Sequence, residues 1–123
     1  MECTLITGAS SGLGWELAQV CAQNGENLIL VARRKERLEE LKILIQRDCN
    51  VRIEIFATDI GRESNRTELF RYVEQNQLEV TFLINNAGLG CNGLFVEQAR
   101  KKERSLIDVN IAAVADLTHH FLG

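Results

Sequence analysis

Residues 7–14 read Thr-Gly-Ala-Ser-Ser-Gly-Leu-Gly, between an apolar run (Cys3 to Thr7) and a stretch with Leu13, Leu17, Val20 and Cys21 at helical spacing. Three glycines spaced G-x-x-x-G-x-G at such a junction mark a tight turn from a strand into a helix that begins near Gly12. Gly8 permits the reversal. Gly12 and Gly14 remove Cβ atoms where backbone must approach a ligand and where the helix must approach the strand. The start of that helix offers unpaired N–H groups and partial positive charge, a setting suited to a pyrophosphate. A glycine-rich turn can also be loop geometry and nothing more, so the rest of the chain has to decide.

Working outward, the chain alternates two periodicities. Gly25 closes the first helix, and Leu28 to Ala32 is a second strand, apolar on both faces. Lys35 to Arg47 sets Leu38, Leu41, Leu44 and Ile45 against charges on the other side, the pattern of an amphipathic helix. From Val51 to Asp59, Val51, Ile53 and Ile55 alternate with Arg52 and Glu54, as in a strand with one wetter face. A third helix carries Leu69, Phe70 and Val73, and Val80 to Ile84 forms a fourth strand that reads as buried on both faces. The last segment, from about Glu103 to Leu122, is a helix too apolar for a surface position. Strands and helices in this order predict an α/β fold with a parallel sheet, helices on its faces and right-handed crossovers. Ligands of such sheets bind at the carboxyl ends of the strands, which is where Thr7 hands over to the glycine turn.

Composition narrows the function classes. With 123 residues, 46% hydrophobic and 25% charged, the chain has the size and balance of one globular domain. A net charge of −3 gives no general attraction to nucleic acid or an anionic membrane, and no apolar stretch is long enough to span a bilayer. A cytoplasmic protein with reduced thiols at Cys3, Cys21, Cys49 and Cys91 is expected, since the cysteines are widely spaced and form no C-x-x-C pair. Proline is absent, so boundaries rest on glycine, asparagine and periodicity.

The end of the second strand sharpens the ligand. A dinucleotide fold that prefers NAD carries an acidic residue there for the adenosine ribose, whereas this chain has Ala32 followed by Arg33, Arg34 and Lys35. A carboxylate would repel a 2′-phosphate and a guanidinium fork pairs with one, so the residues predict NADP(H). A solvated charge run opening a helix is the alternative and suits Lys35. It explains Arg33 and Arg34 poorly, because cations oppose the dipole at a helix start.

With these motifs in order, the sequence resembles the short-chain dehydrogenase/reductase family, in its NADP-preferring branch. The resemblance is carried by residues 7–14, by Val31-Ala-Arg-Arg34, by Asp59 after the third strand, by Asn85-Asn-Ala-Gly88 after the fourth and by Asn110 in the last helix. It implies a three-layer Rossmann-type sheet of order 3-2-1-4 with helices on both faces. It also implies that Thr7, Gly8, Ser10, Ser11, Gly12, Leu13 and Gly14 cradle the pyrophosphate, with Arg33 and Arg34 on the 2′-phosphate. Asp59 and the backbone of Ile60 would then hold the adenine, and Asn86, Ala87 and Gly88 would line the adenosine side. Family members often carry a basic residue where this chain has Ser11, which leaves the phosphate to Arg33 and Arg34. Read locally, Asp59 is an N-cap and Asn85 to Gly88 a turn. Asn110 implies a place in the family's proton relay, or a structural amide in an apolar helix.

The resemblance then meets a gap. Family chemistry moves a hydride between nicotinamide and a carbonyl or alcohol carbon, with a serine and Tyr-x-x-x-Lys that come after the position of Asn110. In the 123 residues Tyr72 is the one tyrosine, with Asn76 four positions on, and no serine follows Ser105. The chain therefore reads as the cofactor-binding front half of such an enzyme, residues 1–123, incomplete relative to the full fold and inactive alone. In that order the fourth strand becomes an exposed edge, and the apolar last helix needs cover, which suggests a homo-oligomer. A non-catalytic dinucleotide-binding sensor or partner subunit is the other reading. His119 and His120 diverge by about 100° on a helix and suit a solvated end better than a metal site. Cys91 reads as a free loop thiol, and Arg100 to Arg104 as a solvated helix face.

Overall fold

The computed structural model describes residues 1–10, 12–86 and 114–122. In chain order these form β1 (Glu2–Thr7), α1 (Gly12–Gln23), β2 (Asn27–Ala32), α2 (Lys35–Gln46), β3 (Ile53–Ala57), α3 (Glu63–Gln75), β4 (Glu79–Asn85) and α4 (Val114–Leu122). The strands pair in parallel in the order β3-β2-β1-β4, the Rossmann-type arrangement expected. Each central strand sends alternate side chains to opposite faces. Ile6, Leu28 and Leu30 pack against Ala18 and Ala22 of α1 and Leu38, Leu41 and Ile45 of α2. Cys3, Leu5, Ile29 and Val31 pack against Leu69 and Val73 of α3 and Leu117 of α4. Helices therefore cover both faces, and β1 from Cys3 and β2 from Leu28 are buried to their ends because both sides of each are core.

α1 faces the sheet differently from its leucine spacing. Its buried residues are Gly14, Ala18, Cys21 and Ala22, while Leu13 and Val20 are 64% and 50% exposed. The glycine turn brings the start of this helix so close to β1 that only small side chains fit beneath it. Gly25, at φ 83°, ends α1 as expected, its N–H donating to the Ala22 carbonyl (3.0 Å) and that of Glu26 to the Cys21 carbonyl (3.1 Å). On α2 the stripe is Leu38, Leu41 and Ile45, with Leu44 turned toward solvent.

β4 departs from the reading of a strand buried on both faces. Val80 is buried, but Phe82 is 59% exposed and Thr81 exposed. Among the described residues β4 pairs with β1 on one side only, so it stands as the edge that the 3-2-1-4 order implies. In α4, Leu117 is fully buried and Phe121 half-buried, whereas Ala115, Thr118 and His119 face solvent, so this part is amphipathic rather than apolar all round. Among the described residues no helix is long and apolar enough to cross a membrane.

Candidate functional site

Strand register lines up the carboxyl ends of the sheet. Thr7 pairs with Val31 and Asn85, and Ala32 with Ala57, so the carboxyl ends of all four strands lie along one edge. In the first loop, Gly8 and Gly12 have φ of 65° and 59°, a left-handed backbone that a side chain would strain. The Ala9 N–H donates to the Val31 carbonyl (3.3 Å) and ties the turn to β2. Among the described residues a Cβ on Gly12, at the start of α1, would meet nothing within 4 Å, and no acidic side chain occupies the first turn. Gly14 is the opposite case. A Cβ there would lie 2.2 Å from the Gly8 carbonyl oxygen and 2.6 Å from Asn86 Nδ2, so its bare backbone is what lets α1 close onto the turn.

Asn86 joins β4 to the same turn. Its Nδ2 donates to the Gly8 carbonyl (3.3 Å), and its backbone N–H donates to Thr7 Oγ1 (3.0 Å). Thr7 Oγ1 in turn donates to the Ile84 carbonyl (3.4 Å). Thr7 and Asn86, expected as ligand-lining residues, thus also brace the loop. Leu13 sits exposed at the start of α1, and Ser10 is half-buried. Two residues not singled out from sequence act here. Arg37 of α2 donates from Nε to the Ser10 carbonyl (3.3 Å), lies 4.3 Å over the Trp15 ring and pairs with Glu40 at 2.8 Å. The available signal was a cation on α2 facing an aromatic just past the glycines.

After β2, Arg33 and Arg34 are exposed, and neither side chain has a partner among the described residues. Lys35 stands apart, 4.0 Å from Glu39 on the surface of α2, as a solvated charge would. After β3, the loop is held from within. The Thr58 N–H donates to the Ala32 carbonyl (2.8 Å), and Asp59 Oδ1 accepts from the Gly61 N–H (3.0 Å). Asp59 is therefore not an N-cap; Arg62 stands at the cap of α3, with no side-chain cap bond, and Asp59 builds an Asx-type turn instead. Asn65 Nδ2 holds the Asp59 carbonyl (2.9 Å) and Arg66 the Ile60 carbonyl (2.8 Å).

Tyr72 lies on α3, and its hydroxyl donates to Glu54 at 2.9 Å. Burial, then the bond to Glu54 and the charge of that carboxylate, push the Tyr72 hydroxyl above its ordinary pKa, the reverse of what a tyrosine base needs. Burial opposes ionisation of Glu54, but hydrogen bonds from Tyr72 and Arg52, with the charges of Arg52 and Lys42, outweigh it and hold the carboxyl below its ordinary value. Cys3, Cys21 and Cys49 are free thiols, and burial pushes Cys3 and Cys21 up, away from the reactive thiolate. His120 is not merely solvated: its ring stacks on Phe70 at 3.8 Å, with Phe121 edge-on. Among the described residues no cluster could hold a metal ion. Ser11, Ala87, Gly88, Asn110, Cys91 and residues 100–104 lie outside the described residues.

Comparison with known proteins agrees with this architecture. The family model for short chain dehydrogenases matches residues 2–123. Over 120 residues the chain is 34% identical to a very-long-chain 3-oxoacyl-CoA reductase of Kluyveromyces lactis, an alignment covering 96% of this chain and 35% of that protein. A short-chain dehydrogenase from Sphingobium yanoikuyae, solved in complex with NADPH, superposes with a TM-score of 0.80 and 34% identity, over 98% of this chain and 47% of the other. L-sorbose reductase from Gluconobacter frateurii, solved with NADPH and L-sorbose, gives a TM-score of 0.85 and 28% identity, over 97% and 45%. The chain thus spans less than half the length of each of these proteins.

Proposed function

Because the chain belongs to the short-chain dehydrogenase family, we propose that its 123 residues are the NADP(H)-binding part of an oxidoreductase acting on a small carbonyl or alcohol substrate. The observation that carries the cofactor is Arg33 with Arg34: two exposed guanidiniums at the carboxyl end of β2, with no partner among the described residues, beside an open glycine turn. A pyrophosphate fits the start of α1, because a helix start offers unpaired N–H groups and, among the described residues, nothing lies close to a Cβ on Gly12. Similarity to proteins solved with NADPH supports the same reading.

In this reading Thr7, Gly8, Ser10, Ser11, Gly12, Leu13 and Gly14 hold the pyrophosphate, and Arg33 and Arg34 pair with the 2′-phosphate. Asp59 and Ile60 flank the adenine, Asn86, Ala87 and Gly88 border the adenosine, and Asn110 belongs to the proton relay. Bound NADPH would supply a hydride; the residues of this chain bind it and orient it against the sheet edge. Transfer to substrate calls for a base and a substrate-steadying serine, and the 123 residues contain no Tyr-x-x-x-Lys. The solvent-facing side of α4 would meet a second copy of the chain, which the oligomeric state in solution tests.

The deciding experiment is a titration of the chain with NADPH and with NADH, read by nicotinamide fluorescence. Tighter binding of NADPH by tenfold or more supports the reading, and equal affinity removes the 2′-phosphate assignment. In the same cuvette the chain alone should show no carbonyl-dependent oxidation of NADPH; stoichiometric turnover would refute the role given to it here.

A further inference from the structure

Arg66 is the one charged side chain buried among the described residues, at 7% exposure. A guanidinium keeps its charge at any ordinary pH, so burial commits it to partners. It has two, on different elements. Its Nη1 donates to the carbonyl of Ile60 at 2.8 Å, and its Nε donates to Asp116 Oδ2 of α4 at 2.6 Å. Ile60 belongs to the loop after β3, whose preceding peptide is held by Asn65 and whose following N–H is held by Asp59. Around these bonds Ile60, Leu69 and Leu117 form apolar core. An apolar side chain could fill this site without placing a charge there. What the guanidinium adds is two directed bonds that make the loop and α4 share one rigid group.

We propose that Arg66 is a positioning residue for the adenine side of the cofactor site, and that its ion pair with Asp116 couples adenine binding to the docking of α4. The inference rests on the adenine assignment made above. Arg66 fixes the Ile60 peptide, and with it the loop that would flank the base. Asp116 is 36% exposed on its side chain, so water competes for it whenever α4 lifts, and the Ile60 anchor then loses its counter-charge. Coupling of this kind is reciprocal: a ligand that orders the loop also holds α4 down.

The test uses 2′,5′-ADP, the adenine half of the cofactor, titrated calorimetrically into the chain and into Asp116→Asn, Arg66→Lys and Arg66→Met. The expected result is a loss of affinity of about fivefold or more in Asp116→Asn and a larger one in Arg66→Met. The two losses should combine less than additively in the double variant, with partial recovery in Arg66→Lys. In hydrogen exchange, 2′,5′-ADP should slow the amides of α4 in the parent chain and not in Asp116→Asn. A merely structural role would lower the melting temperature and leave the affinity of the folded chain unchanged, and that outcome overturns the proposal. If Arg66→Met does not fold, Asp116→Asn and Arg66→Lys decide by the same criterion. Failure of the parent chain to bind 2′,5′-ADP would remove the adenine assignment and this inference together; binding that all variants keep unchanged removes the inference alone.

Discussion

The loops that follow β2 and β3 sit side by side on one sheet edge and use arginine in opposite ways. After β2, Arg33 and Arg34 point into solvent with no partner among the described residues. Behind the loop after β3, Arg66 of α3 is buried and bonded to the Ile60 carbonyl and to Asp116. The difference separates two kinds of charge. One with no partner inside the fold costs little to leave in water and is available to an anionic ligand, whereas one buried and bonded within the fold serves to set geometry.

The largest test of that contrast is Arg33→Asp. Reversing the charge should weaken NADPH binding by about 100-fold, the scale of a lost charge-assisted pair, while NADH affinity and the melting temperature stay nearly constant. A variant that melts earlier, or that loses both cofactors equally, would show Arg33 to be part of the fold. Gly14→Ala probes the first loop, which follows β1 on the other side of β2 from the loop after β3. Its Cβ would fall 2.2 Å from the Gly8 carbonyl oxygen, so backbone has to move, and a stability loss of about 1–3 kcal/mol is expected on chemical unfolding. An unperturbed midpoint would mean that α1 can shift away from the turn more freely than its packing implies.

Asn65→Ala removes the 2.9 Å bond to the Asp59 carbonyl, and should cost about 1 kcal/mol of stability, with faster exchange of the Gly61 amide. If the loss appears only in ligand affinity, the loop after β3 is less self-supporting than its bonds suggest. Tyr72→Phe is the mildest change. Because Glu54 is held below its ordinary pKa, its contribution to stability is present above the unfolded-state value and is lost as pH falls through the folded-state value. The variant should therefore be less stable than the parent at neutral pH, with the gap narrowing in acid. The raised Tyr72 value adds a loss in the parent alone as pH rises through it, above the ordinary value of 10.0. A gap that stays constant from acid to alkali would mean that neither group's ionisation is coupled to the bond.

Much of the fold was legible because its periodicities are local. The apolar runs Leu28 to Ala32 and Cys3 to Thr7, the heptad-like stripe of α2 and the glycine turn each follow from neighbouring residues, and all appear at those places within a residue or two. The exposed pair Arg33 and Arg34 could be singled out for the same reason: two cations at a helix start conflict with the helix dipole, a conflict visible in sequence. α1 misled, since leucine spacing suggested a stripe through Leu13 and Val20, while the buried face is Gly14, Ala18, Cys21 and Ala22. Helix-to-sheet distance selects side-chain size there, and that distance is set by the turn and the strand together.

By itself the sequence determined the alternation of strands and helices, the glycine turn and the adjacent cations after β2, because each depends on propensity, period or charge within a few positions. Tertiary structure alone decided that Asp59 builds a turn instead of capping α3, that Arg37 reaches across to Ser10, and that Arg66 meets Asp116 fifty positions away. Those outcomes require partners brought together by strand pairing and by helices docking on opposite faces. Hydrogen bonds between distant residues depend on that geometry, and no local pattern along the chain encodes it.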